Sequence, residues 1–187
     1  MKINTKALIL TGLFAAITSV CALISIPVPF SPVPITLQLA AVFLSATILG
    51  SKYGSLSQIV YLLIGTVGLP VFSNFSGGPG VILGPTGGFL ISFPIIAFIV
   101  GLIIEKNKNA SDIIMRFLIM PLLLLFGLLI CYSLGTLWLS FVLKISLTKA
   151  IYIGVLPFIP LDVIKAIFVS IIGYQIRISL IKAKLIN

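Results

Sequence analysis

Long apolar runs, separated by short polar or proline-rich segments, fill most of this chain of 187 residues. Because a membrane-crossing helix needs about 20 largely apolar residues, a chain of this length has room for about six of them. The pattern therefore predicts an all-α integral membrane protein that forms a single domain over residues 1–187. The predicted spans are residues 7–26, 36–50, 53–69, 86–104, 113–141 and 150–181. Lys52 marks a tight turn after the second span, and Pro157 and Pro160 are expected to disturb the first part of the sixth.

The composition agrees with this pattern, since 60% of the residues are hydrophobic and 8% are charged, whereas a soluble domain carries about 25% charged residues. We therefore expect a lipid bilayer to cover most of the surface. Lys2 and Lys6 before an apolar run are also typical of a signal peptide. That run is long for such a peptide and no small-residue cleavage site follows it, so we interpret residues 7–26 as a retained span.

The basic residues, which dominate a formal net charge of +9, lie mostly at the ends of the predicted spans. With the N-terminus inside, nine of them face the cytoplasm and two face outside, as the positive-inside rule requires. We therefore expect both termini in the cytoplasm, and we expect no nucleic-acid partner. The nine are Lys2, Lys6, Lys52, Lys106, Lys108, Arg116, Arg177, Lys182 and Lys184, and the two are Lys144 and Lys149.

Two unusual connectors then lie on the outer side. Residues 27–34 contain four prolines, which disfavour a helix, so we expect extended chain there. Residues 68–88, between the third and fourth spans, are rich in glycine and carry no charge. Non-helical backbone at membrane depth is tolerated where it covers a cavity. Residues 70–88 are therefore predicted to form an extracytoplasmic lid, with an ordinary surface loop as the alternative.

Asp162 and Lys165 stand three residues apart in the apolar start of the sixth span. On a helix they share one face. An ionisable group in a span costs about 2.5–3.5 kcal/mol on insertion scales and usually faces a cavity, a partner or a ligand. The functional interpretation is a ligand site, and the structural alternative is an ion pair that only holds two helices together.

Polar residues from three segments converge on the same outer side, which is the composition of a small-ligand site with mostly apolar walls. The chain has no histidine and two cysteines, without the spacing of zinc ligands. We therefore expect neither a metal nor a cofactor. The candidate ligand-binding residues are Thr36, Gln38, Asn74, Ser76, Thr86, Asp162 and Lys165.

Four segments of the chain form recognisable motifs: residues 34–38 (PITLQ), 61–72 (YLLIGTVGLPVF), 83–89 (LGPTGGF) and 159–165 (IPLDVIK). Together, and in this order, they resemble the BioY family, the biotin-binding S components of energy-coupling factor (ECF) transporters. The resemblance implies six helices, both termini inside, and biotin captured from outside beneath the loop after the third span. It also implies a prokaryotic plasma membrane, a transmembrane coupling protein (EcfT) and two ATPase subunits as partners.

The resemblance carries the family's acid and lysine onto Asp162 and Lys165, and its polar loop position onto Ser76. Some members have an arginine where this chain has Leu90, so a guanidinium contact to the biotin carboxylate is not expected here, and that role passes to Lys165 or to backbone donors. Asp162 is suited to accept the ureido N–H donors, and Lys165 to serve the ureido oxygen or the carboxylate. Candidate apolar walls are Tyr61, Phe72, Phe75 and Phe89, although aromatic side chains in or near spans more often serve packing.

Gly12 and Ala16 place small side chains four residues apart on the first span. Close helix contact in lipid relies on such small faces. The resemblance assigns this motif to docking on the coupling protein, and packing within the chain is the alternative. A neighbouring small stripe consists of Ala7, Thr11 and Ala15.

Three other functions remain open from the sequence. The first is an S component for another vitamin, against which the Asp162 and Lys165 pair and the GPTGG loop argue. The second is a membrane enzyme, which needs a nucleophile and base or a metal cluster. The third is a structural subunit or channel, which leaves the loop and the intramembrane pair without a ligand. No Walker sequence is present, so ATP hydrolysis is expected in partner subunits.

Overall fold

The computed structural model describes residues 5–107, 111–183 and 185–186. Lys2, Lys108 and Lys184, which contribute to the predicted charge asymmetry, lie outside the described residues. The described chain is almost entirely helical, with one two-stranded ladder. Its elements are α1 (Thr5–Leu23), β1 (Ser25–Ile26), β2 (Ile35–Thr36), α2 (Gln38–Thr66), α3 (Pro79–Leu83), α4 (Gly87–Lys106), α5 (Asp112–Ile114), a π-helical segment (Met115–Ile119), α6 (Met120–Leu143), α7 (Leu147–Gly154) and α8 (Ile159–Lys182).

Five helical segments among the described residues are long and apolar enough to cross a membrane. The segment Asp112–Leu143, which joins α5, the π-helical segment and α6, occupies the region of the predicted span 113–141. The five segments are Thr5–Leu23, Gln38–Thr66, Gly87–Lys106, Asp112–Leu143 and Ile159–Lys182.

Helix α2 reverses direction at Gly50, where the backbone is non-helical (φ 79°, ψ −168°). The amide nitrogen of Gln38 donates to the Tyr61 hydroxyl at 2.5 Å, although a straight helix would separate residues 23 positions apart by about 34 Å. The two arms on either side of Gly50 are therefore antiparallel. The sequence places this turn near Lys52, and the structure places it two residues earlier.

The reversal at Gly50 is stabilised by charges from distant helices. Ser51 donates its backbone N–H to Glu105 Oε1 at 2.9 Å and its hydroxyl to Oε2 at 2.8 Å. Arg177 Nη1 donates to the carbonyls of Thr47 and Ile48 at 2.9 and 3.0 Å. An anion at a helix N-terminus and a cation at a C-terminus complement the helix dipoles. We call this part of the bundle the Gly50 end.

The predicted sixth span, 150–181, is wrong as a single element, because the structure divides it into α7 and α8. Pro157 lies in the turn between them and has no N–H to donate. Pro160 lies in the first turn of α8, where a proline leaves no helical hydrogen bond unmade. The prolines thus start a new helix rather than merely disturbing one.

The proline connector is the loop of a short hairpin in which β1 and β2 pair antiparallel, with Ser25 opposite Thr36. It lies with the starts of α2, α4 and α8 at the opposite end from Gly50, which we call the cavity end. Between the two ends, helices approach closely at glycines. A Cβ at Gly101 on α4 would lie 2.3 Å from the Ser51 nitrogen. Small residues allow such contact where lipid supplies little driving force for association.

Candidate functional site

A cavity with about 620 Å³ of space, counting its open mouth, lies at the cavity end. The starts of α2, α4 and α8 meet there with β2, α6 and the loop before α3. Of the candidate ligand-binding residues, the structure brings these to its lining: Thr36, Gln38, Thr86, Asp162 and Lys165.

Asp162 occupies the first turn of α8 and is 7% exposed. Lys165 Nζ lies 2.7 Å from its Oδ1, as the spacing of three residues on one helix face predicts. The Tyr132 hydroxyl of α6 donates to the other oxygen, Oδ2, at 2.7 Å. Each carboxylate oxygen therefore receives one donor, and its remaining acceptor capacity is available to a ligand.

The lysine also ties α8 to the hairpin, since Lys165 Nζ donates to the carbonyl of Thr36 at 2.6 Å. From there a chain of hydrogen bonds continues. The Thr36 hydroxyl donates to Gln38 Oε1 at 3.1 Å, and Gln38 Nε2 donates to Tyr61. The chain joins α8, β2 and both arms of α2, so the polar side of the cavity is held as one unit.

The apolar walls come mainly from α4 and the turn before α8. Phe89, Leu90, Phe93 and Phe158 line the cavity, and each is at most 8% exposed. Leu90 thus lies in the wall, at the position where some family members are expected to carry arginine. Among the four aromatic side chains predicted as walls, only Phe89 is part of the lining.

The GPTGG turn is held in place by Trp138 of α6. Its indole Nε1 donates to the carbonyl of Gly84 at 2.9 Å. A Cβ at Gly88 would lie 2.2 Å from the Trp138 Cβ, so a glycine is needed for this approach. The contact fixes the start of α4 and thereby positions Thr86 and Phe89 at the cavity.

The loop between α2 and α4 is anchored by Phe72, which is fully buried. Its ring packs edge-on against Tyr61 with 5.4 Å between ring centroids. A Cβ at Gly65 would lie 2.1 Å from the ring, so this glycine provides the space for Phe72. Phe75, by contrast, is 69% exposed at the tip of the loop. These two phenylalanines and Tyr61 therefore do not form the walls that the sequence suggests.

Two predicted site residues of the loop are not among those that line the cavity. Asn74 is exposed, and its Oδ1 accepts from the Ser25 hydroxyl at 3.0 Å while its backbone N–H donates to the same hydroxyl at 3.2 Å. Ser76 donates its hydroxyl to the carbonyl of Ser73 at 2.7 Å. The loop residue that lines the cavity is Ser73.

Tyr132 is the main functional candidate that the sequence analysis missed. It lies in the middle of an apolar span, and its partner Asp162 is 30 residues away. A signal was available, because Tyr132 and Ser133 are adjacent polar groups in an otherwise apolar run. Among the described residues, no group of three or more His, Cys, Asp or Glu side chains could hold a metal ion.

The candidate docking residues Gly12 and Ala16 lie exposed on the surface of α1. A Cβ at Gly12 would meet no atom within 4 Å. The neighbouring small stripe is buried rather than exposed, since Ala7, Thr11 and Ala15 lie against the bundle. The two small stripes therefore have different surroundings, and the exposed one does not pack against the other residues that the structure describes.

The chain is similar to known proteins over most of its length. The model of the BioY family matches residues 1–182. A biotin transporter BioY of Thermotoga maritima is 42% identical over 92% of this chain and 96% of its own length. The biotin transporter BioY of Rhizobium etli is 34% identical over 94% of this chain and 95% of its own length.

A solved structure has a similar fold. It is the crystal structure of the S-component for biotin from an ECF-type ABC transporter, which superimposes with a TM-score of 0.85 at 33% identity over 95% of both chains. This chain therefore belongs to the BioY family.

Proposed function

We propose that this chain is the substrate-binding S component of an ECF transporter and that it captures biotin from outside the cell. The family consists of transporter components rather than enzymes, and the chain is a multi-pass protein of a prokaryotic plasma membrane. The observation that carries the proposal is the carboxylate of Asp162, held between Lys165 and Tyr132 at the polar side of an otherwise apolar cavity.

Biotin matches this distribution of groups. Its bicyclic ring system is largely apolar and suits the phenylalanine-rich wall, while its ureido group offers N–H donors and one acceptor oxygen. Asp162 accepts an N–H in a charge-assisted hydrogen bond, which is shorter and stronger than a neutral one. Lys165 donates to the ureido oxygen. Ser73 and Thr86 provide hydroxyl groups elsewhere in the lining.

The proposed topology has six crossings, because the two antiparallel arms of α2 count as separate spans. Among the described residues, more basic side chains lie at the Gly50 end than at the cavity end. Lys165 is left out of this comparison because it lines the cavity. This asymmetry supports cytoplasmic termini and an outward-facing cavity. The first group is Lys6, Lys52, Lys106, Arg116, Arg177 and Lys182, and the second is Lys144 and Lys149.

Partners are part of the proposal. A coupling protein of the EcfT type would dock on the exposed small face of α1, and two ATPase subunits would hydrolyse ATP. Biotin is the transported ligand and not a cofactor. The exposure of Gly12 and Ala16 supports docking, since a small face leaves room for close approach of a second helix.

The direct test is retention of biotin by the purified protein. We expect the chain, purified in mild detergent without added ligand from cells grown with biotin, to carry biotin that mass spectrometry detects after denaturation. Titration of ligand-free protein by calorimetry should then show one site. Absence of both retained biotin and a calorimetric signal, in protein that elutes as a single folded species, would remove the proposed function.

We also predict that residues 70–88 close over bound biotin as a lid. Local opening of this loop should become rarer when the ligand occupies the cavity beneath it. Hydrogen–deuterium exchange should therefore slow in peptides covering 70–88 on adding biotin. Peptides from 101–106 at the Gly50 end serve as the internal control and should not change. Equal exchange in the loop with and without saturating biotin would contradict a lid.

The contacts of Ser25 with Asn74 provide a matched variant for the same prediction. Ser25→Ala removes two hydrogen bonds that hold the loop to the hairpin. Both bonds are exposed to water, so each contributes at the lower end of the usual range of about 0.5–1.5 kcal/mol. Together they contribute about 1 kcal/mol, so we expect biotin to dissociate about fivefold faster. Ser31→Ala, which changes a hydroxyl elsewhere in the hairpin loop, should leave the dissociation rate unchanged.

A further inference from the structure

The formal charges that line the cavity cancel. Of the described lining residues, Asp162 and Lys165 are the charged ones, and they contact each other at 2.7 Å. The cavity therefore offers an acceptor beside a donor and no surplus positive charge. Burial of an unpaired anion is strongly unfavourable, so this lining suits an uncharged ligand group better than a carboxylate.

Lys165 already uses most of its hydrogen-bond donors at the polar side of the cavity. Of its three N–H donors, one serves Asp162 and one the carbonyl of Thr36. A ligand carboxylate placed on the third would lie within a few ångströms of the Asp162 carboxylate, which shares the same nitrogen. Two anions this close repel each other. The remaining donor therefore suits a neutral oxygen.

The other polar groups of the lining do not supply a cation either. Both atoms of the Gln38 amide are engaged, with Thr36 and with Tyr61. The Tyr132 hydroxyl donates to Asp162. Among the described lining residues, this leaves hydroxyl groups, the Cys131 thiol, backbone N–H groups and aliphatic or aromatic walls for the rest of the ligand, and none of these carries a formal charge.

A cyclic urea is complementary to the ion pair along one edge. It presents an N–H next to a carbonyl oxygen, whereas Asp162 and Lys165 present an acceptor next to a donor. A urea can therefore bind both side chains at once without changing the net charge. In this orientation the ureido head points inward and the opposite end of biotin, with its carboxylate, points toward the mouth.

We infer that the site recognises the uncharged ureido head of biotin and leaves its carboxylate in water at the mouth, so that neutral amides and esters of biotin are also ligands. This inference rests on the proposed function, since it concerns the same cavity. It makes the chain a binder of a class of biotin derivatives rather than of the free acid alone.

The test is a competition series on the wild-type protein reconstituted in lipid nanodiscs, with radiolabelled biotin as the tracer. Biotinamide lacks the charge of the carboxylate and has nearly the same size as biotin. Biotin methyl ester also lacks the charge and is slightly larger. Both should compete with a Kd within about tenfold of that of biotin, a difference of about 1.4 kcal/mol or less. Biotin methylated on a ureido nitrogen should lose about a hundredfold or more, because polar groups of the site lose their partner.

Each outcome decides between the alternatives. A loss of more than about tenfold for both neutral derivatives, with biotin still bound, would show that the carboxylate is recognised and would overturn this inference alone. An N-methylated ligand that binds as well as biotin would overturn the assignment of the ureido head to Asp162 and Lys165. Failure of biotin itself to bind would remove the proposed function, and this inference with it.

Discussion

Asp162→Asn is expected to weaken biotin binding by about 2–4 kcal/mol, roughly 30- to 1,000-fold in Kd. The substitution replaces an anionic acceptor by a group that is half donor, so the ligand N–H loses its charge-assisted bond. It also leaves the ammonium of Lys165, whose side chain is 13% exposed, without its counter-charge. Calorimetry or radioligand binding on the purified variant measures the loss, and an unchanged Kd would contradict the site assignment.

A stability measurement separates this role from that of an ion pair that only joins helices. Replacing a buried pair by two neutral side chains is often neutral for stability, whereas removing one partner is destabilising. The double variant Asp162→Asn/Lys165→Met should therefore recover much of the thermal stability that either single variant loses, without recovering biotin binding. Recovery of both together would favour a purely structural pair.

A matched control exists at the opposite end of the bundle. Glu105 is also an acid with two hydrogen bonds, both to Ser51, but it does not line the cavity. Glu105→Gln should lower thermal stability and leave the Kd for biotin within error. Tyr132→Phe gives an intermediate case at the site, since it keeps the ring and removes one donor to Asp162. We expect it to weaken binding by about 1–2 kcal/mol.

The sequence was sufficient for those features that depend on local pattern. Apolar runs located the long helices, and the spacing of Asp162 and Lys165 on one helix face placed them in contact. Features set by distant partners were predicted less well. The turn lies at Gly50 rather than Lys52, because Glu105, 54 residues from Ser51, provides acceptors for the start of the second arm.

The loop residues show the same limit. Nothing local distinguishes Ser73 from Ser76 or Asn74 as the side chain at the cavity. The choice follows from Ser25, which is 49 residues away and engages Asn74, and from the burial of Phe72 against Gly65. Tyr132 was missed for a similar reason, because its role depends on an acid in another helix. The direction of a loop side chain thus depends on tertiary contacts. The residues that share a helix face, by contrast, follow from the helical repeat alone.

Leucine at both Gly12 and Ala16 is expected to abolish biotin uptake while leaving biotin binding intact. Both residues are exposed on α1, and neither lines the cavity. Leucine at these positions fills a face that a partner helix needs to be small. It does not strain the chain, since a Cβ at Gly12 meets nothing within 4 Å, and a glycine replaced inside a helix adds about 0.5–1 kcal/mol of helix stability.

Three measurements on the double variant decide the matter: uptake of radiolabelled biotin by cells that express the whole transporter, co-purification with the EcfT partner, and Kd in detergent. Ala15→Leu, at a position 1% exposed, should reduce folding and binding together because it overpacks the bundle. Ser179→Leu, on an exposed face of α8, controls for added bulk on the surface and should change none of the three. Normal uptake by the double variant would exclude docking at Gly12 and Ala16. A loss of binding equal to that of Ala15→Leu would show instead that the small face supports the fold, because lipid alone tolerates leucine on a helix surface.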